Sequence, residues 1–400
     1  MEHVPDAIIE PMAILLLIVG LILFIGLVVT HEWGHFVMAR RAGVEVEEFG
    51  IFFPPRLYTH KTKAGWLFTI NLLPLGGFVK LKGEHDSDTE PGSFGAASVG
   101  AKSKIMAAGV VVNLITALVL LTILALVGMP KLIPNQYTVK SDTHLASQRV
   151  LVGYVEPGSP AAKAGLKSED ELTDIGLRGY SPVAITNSDK LPNITKDFAG
   201  KTVMLYYTRA GQHHEATATL LTTKVWQASQ KTNNPKGYLG IDPTQFTLQR
   251  STWSAPIVAV GLSAQVTALT FQGLGHALGG LGSLVAGAVT GNTTARQHGQ
   301  SSASSQVAGP VGIFVILKDG SLIGLQFMLF IIAIISLTLA IMNILPIPAL
   351  DGGRLWILLV SRWLKRPLSA AREEAINAAG FVVLISLVIL VTIVDVHRFL

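Results

Sequence analysis

Four runs of apolar residues, each about as long as a bilayer is thick, constrain this chain more than any other feature. A helix needs about 20 apolar residues to cross the roughly 30 Å hydrocarbon core of a membrane. The first run covers residues 12–39, broken only by His31-Glu32-Trp33-Gly34-His35. The others cover residues 105–128, 322–345 and 375–394. In lipid every backbone polar group must be satisfied within the protein, and single runs of this length do that as helices. Composition agrees: charged residues make up 14% of the chain, against about 25% in soluble domains. The expected fold is a polytopic α-helical membrane protein with four transmembrane helices, and its first partner is the lipid bilayer. The net charge of +5 is spread over loops, not gathered into the stripe of a nucleic-acid binder, so no nucleic-acid partner is expected. With no cysteine in the chain, disulfides and thiolate metal sites are excluded.

Lysine and arginine beside the apolar runs predict the orientation. The segment after the first run carries Arg40, Arg41, Arg56, Lys61, Lys63, Lys80, Lys82 and Lys102; the segment after the third carries Arg354, Arg362, Lys365, Arg366 and Arg372. Both are expected to face the cytoplasm. The acidic start, MEHVPDAIIEP, does not read as a cleavable signal peptide, which would begin with basic residues. It, the C-terminus and residues 129–320 then lie outside.

Between the runs the chain changes character. Residues 57–82 hold two stretches rich in aromatic and β-branched residues around Lys63-Ala64-Gly65, a hairpin pattern. Its second half is too apolar for an ordinary soluble loop, so a β-loop dipping toward the membrane is expected, with protein or a cavity covering its backbone. Residues 137–222 mix short strand-like runs with polar turns and read as one small β-rich domain. Residues 255–320 are rich in Gly, Ala and Ser, with apolar residues at helical spacing, and suit helices lying on or against the membrane. Within them GQSSASSQVAG, residues 299–309, reads as a loop. Residues 1–128 and 321–400 then form the two halves of a membrane core.

The break in the first run is the chemical signal. His31-Glu32-Trp33-Gly34-His35 fits H-E-x-x-H. On a helix, residues i and i+4 share a face, so two imidazoles can reach one Zn²⁺ at about 2.0–2.1 Å. Glu32, next to the first ligand, is placed to take a proton from a metal-bound water. Ionisable residues inside an apolar run are costly and mark function. Counting from Arg40 at about 1.5 Å per residue, the histidines lie roughly 7 to 14 Å inside the membrane profile, on the cytoplasmic side.

Catalytic zinc commonly takes two histidines and a carboxylate. Asp351 follows the third run, after Pro346 and Pro348 and before Gly352 and Gly353, on the same expected side as the histidines. The same aspartate could instead cap a helix beginning at Gly352. Asp395 is the rival carboxylate, and the orientation argument puts it on the opposite side.

These motifs together resemble the site-2 protease family, the intramembrane zinc metalloproteases of regulated proteolysis, over nearly the whole chain. HEWGH resembles the family's HExGH. Leu350-Asp351-Gly352-Gly353 resembles its LDG motif, Leu73–Lys80 its PLGGYVK loop, and Gly309-Pro310-Val311-Gly312-Ile313 its GPIGI run. One stretch departs: where members often carry GPxxN, this chain has Gly109-Val110-Val111-Val112-Asn113, without the proline. Val155–Leu166 resembles part of a PDZ domain of the bacterial protease type, present once. The resemblance implies a Zn²⁺ cofactor held by His31, His35 and Asp351, with Glu32 as general base. It implies that Gly76 and Gly77 add a strand to an unwound substrate, and that Asn113 and Asn343 contact its backbone. It implies cleavage of single-span membrane proteins in a bacterial cytoplasmic membrane, with the PDZ-like domain filtering or docking substrates. Two other readings stay open: a non-catalytic membrane scaffold, and a membrane-anchored peptidase acting on soluble proteins.

Overall fold

A computed structural model of the chain describes residues 11–85, 88–232, 234–290, 309–365 and 369–399. Nearly all of the expected 299–309 loop, and most of the acidic N-terminal stretch, lie outside the described residues. The chain forms two compact units: residues 1–20, 121–262 and 316–330, and residues 21–120, 263–315 and 331–400.

The second unit carries most of the apolar helices. α1 (Pro11–Arg41) begins at a proline, a favoured first helical residue, and ends on Arg40 and Arg41, which suit the negative end of the helix dipole. It is followed by β1 (Val46–Lys61), β2 (Leu67–Leu81) and α2 (Val99–Val127). β1 and β2 are long and bent, and they pair twice. Phe49 lies opposite both Phe68 and Val79, and Ile51 opposite both Ile70 and Gly77. The result is a four-segment sheet in which residues 77–81 form an outer edge. Thr62 and Trp66 close the turn through a backbone hydrogen bond. A mixed cluster of Ala39, Val44, Leu81, Phe94, Ile105, Met106 and Leu358 ties the end of α1 to the sheet and α2. A Cβ on Gly34 would come within 2.9 Å of the Ala108 carbonyl oxygen, so glycine lets α1 and α2 pack backbone to backbone.

The first unit is built on a seven-stranded antiparallel sheet. Its strands are β3 (Met129–Pro130), β4 (His144–Val155), β5 (Glu171–Gly176), β6 (Val183–Ala184), β7 (Thr202–Arg209), β8 (Gln212–Thr219) and β9 (Ile241–Arg250), in the order β3-β9-β4-β5-β7-β8 with β6 on β5. Short helices α3 (Pro160–Lys163), α4 (Leu191–Asp197) and α5 (Thr223–Ser229) connect them. The core is aliphatic, with Val150, Val152, Leu172, Ile175, Val203 and Leu205 essentially inaccessible. The sheet continues past residue 222, the expected end of the β-rich domain: β9 pairs with β4 from end to end, as far as Arg250. Pro243 and the polar residues of β9 hide a strand whose place is set by its partner.

Four more helices follow: α6 (Ala255–Thr290), α7 (Pro310–Ile323), α8 (Leu325–Ile344) and α9 (Asp351–Trp363); α10 (Ala370–Phe399) is last. Among the described residues five helices, not four, are long and apolar enough to cross a membrane. The extra one is Ala255–Gly280 of α6, whose mean hydropathy of 1.5 is the lowest of the five. Its Gly, Ala and Ser residues break the apolar pattern in the sequence without breaking the helix. Asp395, buried in α10, accepts hydrogen bonds at 2.8 Å from the backbone N–H groups of Gly309 and Gly312. The rival carboxylate is thus spent on the N-terminus of α7.

Candidate metal centre

His31 and His35 lie one turn apart on α1, and both are buried. Their Nε2 atoms are 3.2 Å apart. Asp351, the first residue of α9, places Oδ2 at 3.1 Å from each of them. Three donors with nearly equal edges form the base of a tetrahedron: ligands at about 2.0–2.1 Å from a zinc ion stand about 3.3 Å from one another. The donor set therefore fits zinc, with the fourth position left for water or substrate.

Contacts from α2 decide which ring nitrogen points inward. The Nδ1 of His35 stands 2.8 Å from the carbonyl oxygen of Ile105, an acceptor, so Nδ1 carries the proton and Nε2 keeps its lone pair. The side-chain amide nitrogen Nδ2 of buried Asn113 stands 3.1 Å from His31 Nδ1, and its buried amide oxygen has no partner. The two ends of an amide have the same shape. Ligation through His31 Nε2 requires a proton on Nδ1, and so the amide oxygen as its acceptor. Ile105, Gly109 and Asn113 recur every four residues and form one stripe along α2 facing the histidines. At Gly109 a Cβ would stand 2.4 Å from His35 Nε2 and 2.6 Å from His31 Nε2. Only a residue without a side chain leaves the two imidazoles their place.

Glu32, His35 and Asp351 line one cavity of about 320 Å³. Its wall is the outer edge of the sheet, Gly77 to Leu81, with Lys80, Glu84 and Arg354 as charged lining. A Cβ on Gly77 would lie 2.9 Å from the Cγ of Glu32, so the strand's backbone passes directly over the carboxylate. Trp33 is half exposed and stacks on Phe36 at 5.0 Å, away from the metal ligands.

The candidate residues separate into two groups. His31, Glu32, His35, Asp351 and Gly77 come together. Gly76 packs against the ring of Phe53 and lines a smaller neighbouring cavity with Glu32. Asn113 stands behind His31 instead of on the wall of the larger cavity, and Asn343, in the last turn of α8, is not on that wall either. Sequence reasoning missed the roles of Ile105 and Gly109. The i, i+4 spacing of Gly109 and Asn113 was the available signal.

Apolar helices around two histidines, a glutamate and an aspartate define a multi-pass membrane zinc metalloprotease. The chain matches the Peptidase family M50 over residues 19–387 and belongs to that family. Relatives cover nearly all of it. A putative zinc metalloprotease of Clostridium acetobutylicum is 30% identical over 381 residues, 95% of this chain and 97% of that one. The zinc metalloprotease RasP of Shouchella clausii is 26% identical over 444 residues, 94% and 97% of the two chains. The probable protease eep of Enterococcus faecalis is 26% identical over 465 residues, 96% and 99%.

Proposed function

We propose that this metalloprotease cuts single-span membrane proteins within the bilayer, near its cytoplasmic side, in a bacterial inner membrane. The observation that carries the reading is the position of the centre: the two histidines and Glu32 sit in an apolar helix, beside a cavity edged by an open strand. A transmembrane substrate is helical and hides its scissile carbonyl. Residues 77–81 pair with β1 on one side only. Apart from the Leu81 N–H, which Glu84 accepts, their other edge offers backbone hydrogen bonds to an unwound segment, which fixes that segment in extended form. A zinc ion held by His31, His35 and Asp351 would polarise the scissile carbonyl and lower the pKa of a water to about 7. Glu32 accepts the proton of the attacking water and delivers it to the departing amide nitrogen. His31 and His35 keep their protons on Nδ1 throughout, held by Asn113 and Ile105. Lys80, Glu84 and Arg354 keep the cavity wet, which hydrolysis requires.

The basic residues that follow α1 and α8 support a centre toward the cytoplasm and a seven-stranded domain outside. We read that domain as PDZ-like, screening or docking the outer parts of substrates. The test is cleavage of a model single-span protein in liposomes by the wild type and by Glu32→Gln, with zinc content measured in both. The expected result is equal zinc and cleavage by the wild type alone. Equal cleavage by both would overturn the reading.

A further inference from the structure

On the face of α9 away from Asp351 lies a second cavity, of about 510 Å³. Trp356, Ile357, Val360 and Leu364 line it at helical spacing, one stripe along α9. Asp351 and Arg354 belong to the opposite stripe and line the metal cavity. Pro346 and Pro348 form the floor, and Ile376 on α10 forms the far wall. The floor is closed where α10 meets it: a Cβ on Gly380 would come within 2.5 Å of Pro348. Arg372, one turn before Ile376 and in the first turn of α10, is the only charged residue in the lining among the described residues. The neighbouring Glu373 lines a different, smaller cavity beside Arg354 and Phe94.

We propose that this groove is a binding site for an anionic phospholipid, with an acyl chain along α9 and the phosphate at Arg372. Trp356, Val360 and Leu364 are 44–53% exposed, and Trp363 on the same helix is 82% exposed. An apolar helix face of this kind in a multi-pass membrane protein lies in the interface plane, its tryptophans at headgroup level. The volume is within the range of about 300–1,000 Å³ that holds a small organic ligand. Arg372 stands two turns along α10 from Gly380, away from the contact with Pro348, and a guanidinium can meet a phosphate in bidentate fashion. Lys365, just beyond α9, and the N-terminus of α10 flank Arg372 in the chain and add positive potential. Basic pockets between membrane helices are the recognised seat of acidic lipid headgroups. A zwitterionic lipid would leave that charge without a net counter-charge.

Trp356 reports on the groove directly. The full chain, with its other five tryptophans replaced by phenylalanine, is placed in nanodiscs of phosphatidylcholine and phosphatidylglycerol. One lipid at a time carries bromine on its acyl chain, at equal mole fraction. One basic contact to an anionic headgroup corresponds to about five-fold enrichment. Brominated phosphatidylglycerol is expected to quench Trp356 at correspondingly lower mole fraction than brominated phosphatidylcholine. Arg372→Gln should make the two lipids equal, and Arg372→Lys should keep part of the preference. Zinc content, measured alongside, should be unchanged in both variants. Equal quenching in the unsubstituted groove would mean ordinary annular lipid and would overturn the proposal. So would absence of quenching by either lipid, the result expected if a protein segment fills the groove.

Discussion

Replacing Gly109 by alanine should empty the metal centre without unfolding the protein. The added methyl carbon would sit 2.4 Å from His35 Nε2, and 2.5 and 2.6 Å from Cε1 and Nε2 of His31. Ordinary contact begins at 3.4 Å, so the rings must open by about 0.8 to 1.0 Å. Metal–ligand bonds tolerate about 0.2 Å, so two of three ligands would leave bonding range together. Losing an outer hydrogen bond to a ligand costs about 10–100-fold in metal affinity. Displacing two ligands must cost more, beyond 100-fold or about 2.7 kcal/mol. Helix propensity works the other way: alanine in a helix interior is favoured over glycine by about 1 kcal/mol, so α2 should be intact. Gly100 on the same helix is the control, since a Cβ there meets nothing within 4 Å. The assay is competition for zinc between purified protein and a chromophoric chelator, with circular dichroism on the same samples. Gly100→Ala should bind like the wild type. A folded Gly109→Ala protein that retains wild-type zinc affinity would refute the assignment of the ligands and of the stripe on α2.

Three further outcomes follow from the same geometry. Asn113→Ala should weaken zinc binding about 10–100-fold, while Asn113→Asp, which keeps an acceptor for His31 Nδ1, should restore much of it in the same competition assay. Asp170 is 1% exposed and binds Arg209 in two-pronged fashion at 2.6 and 2.7 Å. Breaking a buried ion pair costs about 3–5 kcal/mol; with the Arg209 side chain 26% exposed, the lower end applies, and Asp170→Ala should speed hydrogen exchange in β5 and β7 by about 100-fold. Burial, and next the nearby charge of Asp319, push Glu169 up from 4.5 to about 7. The unfolded chain then sheds this proton before the folded one, so stability falls as pH rises from about 4.5 to about 7 and levels off above. Glu169→Gln should remove that part of the pH dependence of the thermal midpoint, and an unchanged profile would refute it.

The sequence by itself determined the membrane class and the heart of the chemistry, because both are local. A run of apolar residues needs no partner to be a helix in lipid, and residues i and i+4 share a helix face whatever surrounds them. His31, Glu32 and His35 were legible for that reason, as was the turn at Lys63-Ala64-Gly65. Asp351 was legible as a candidate only, since the same residue type serves as a helix cap. What it does depends on a chain that returns 316 positions later to bring Oδ2 to 3.1 Å from His35. Asp395 shows the converse: a membrane carboxylate that looks chemical in sequence is taken up by the backbone of Gly309 and Gly312. Tertiary structure alone decided that β9 completes the seven-stranded sheet, since pairing there is with a strand about 90 residues away. It also gave Gly109 its purpose. A glycine's value lies in what approaches it, and here two histidines do, from another helix.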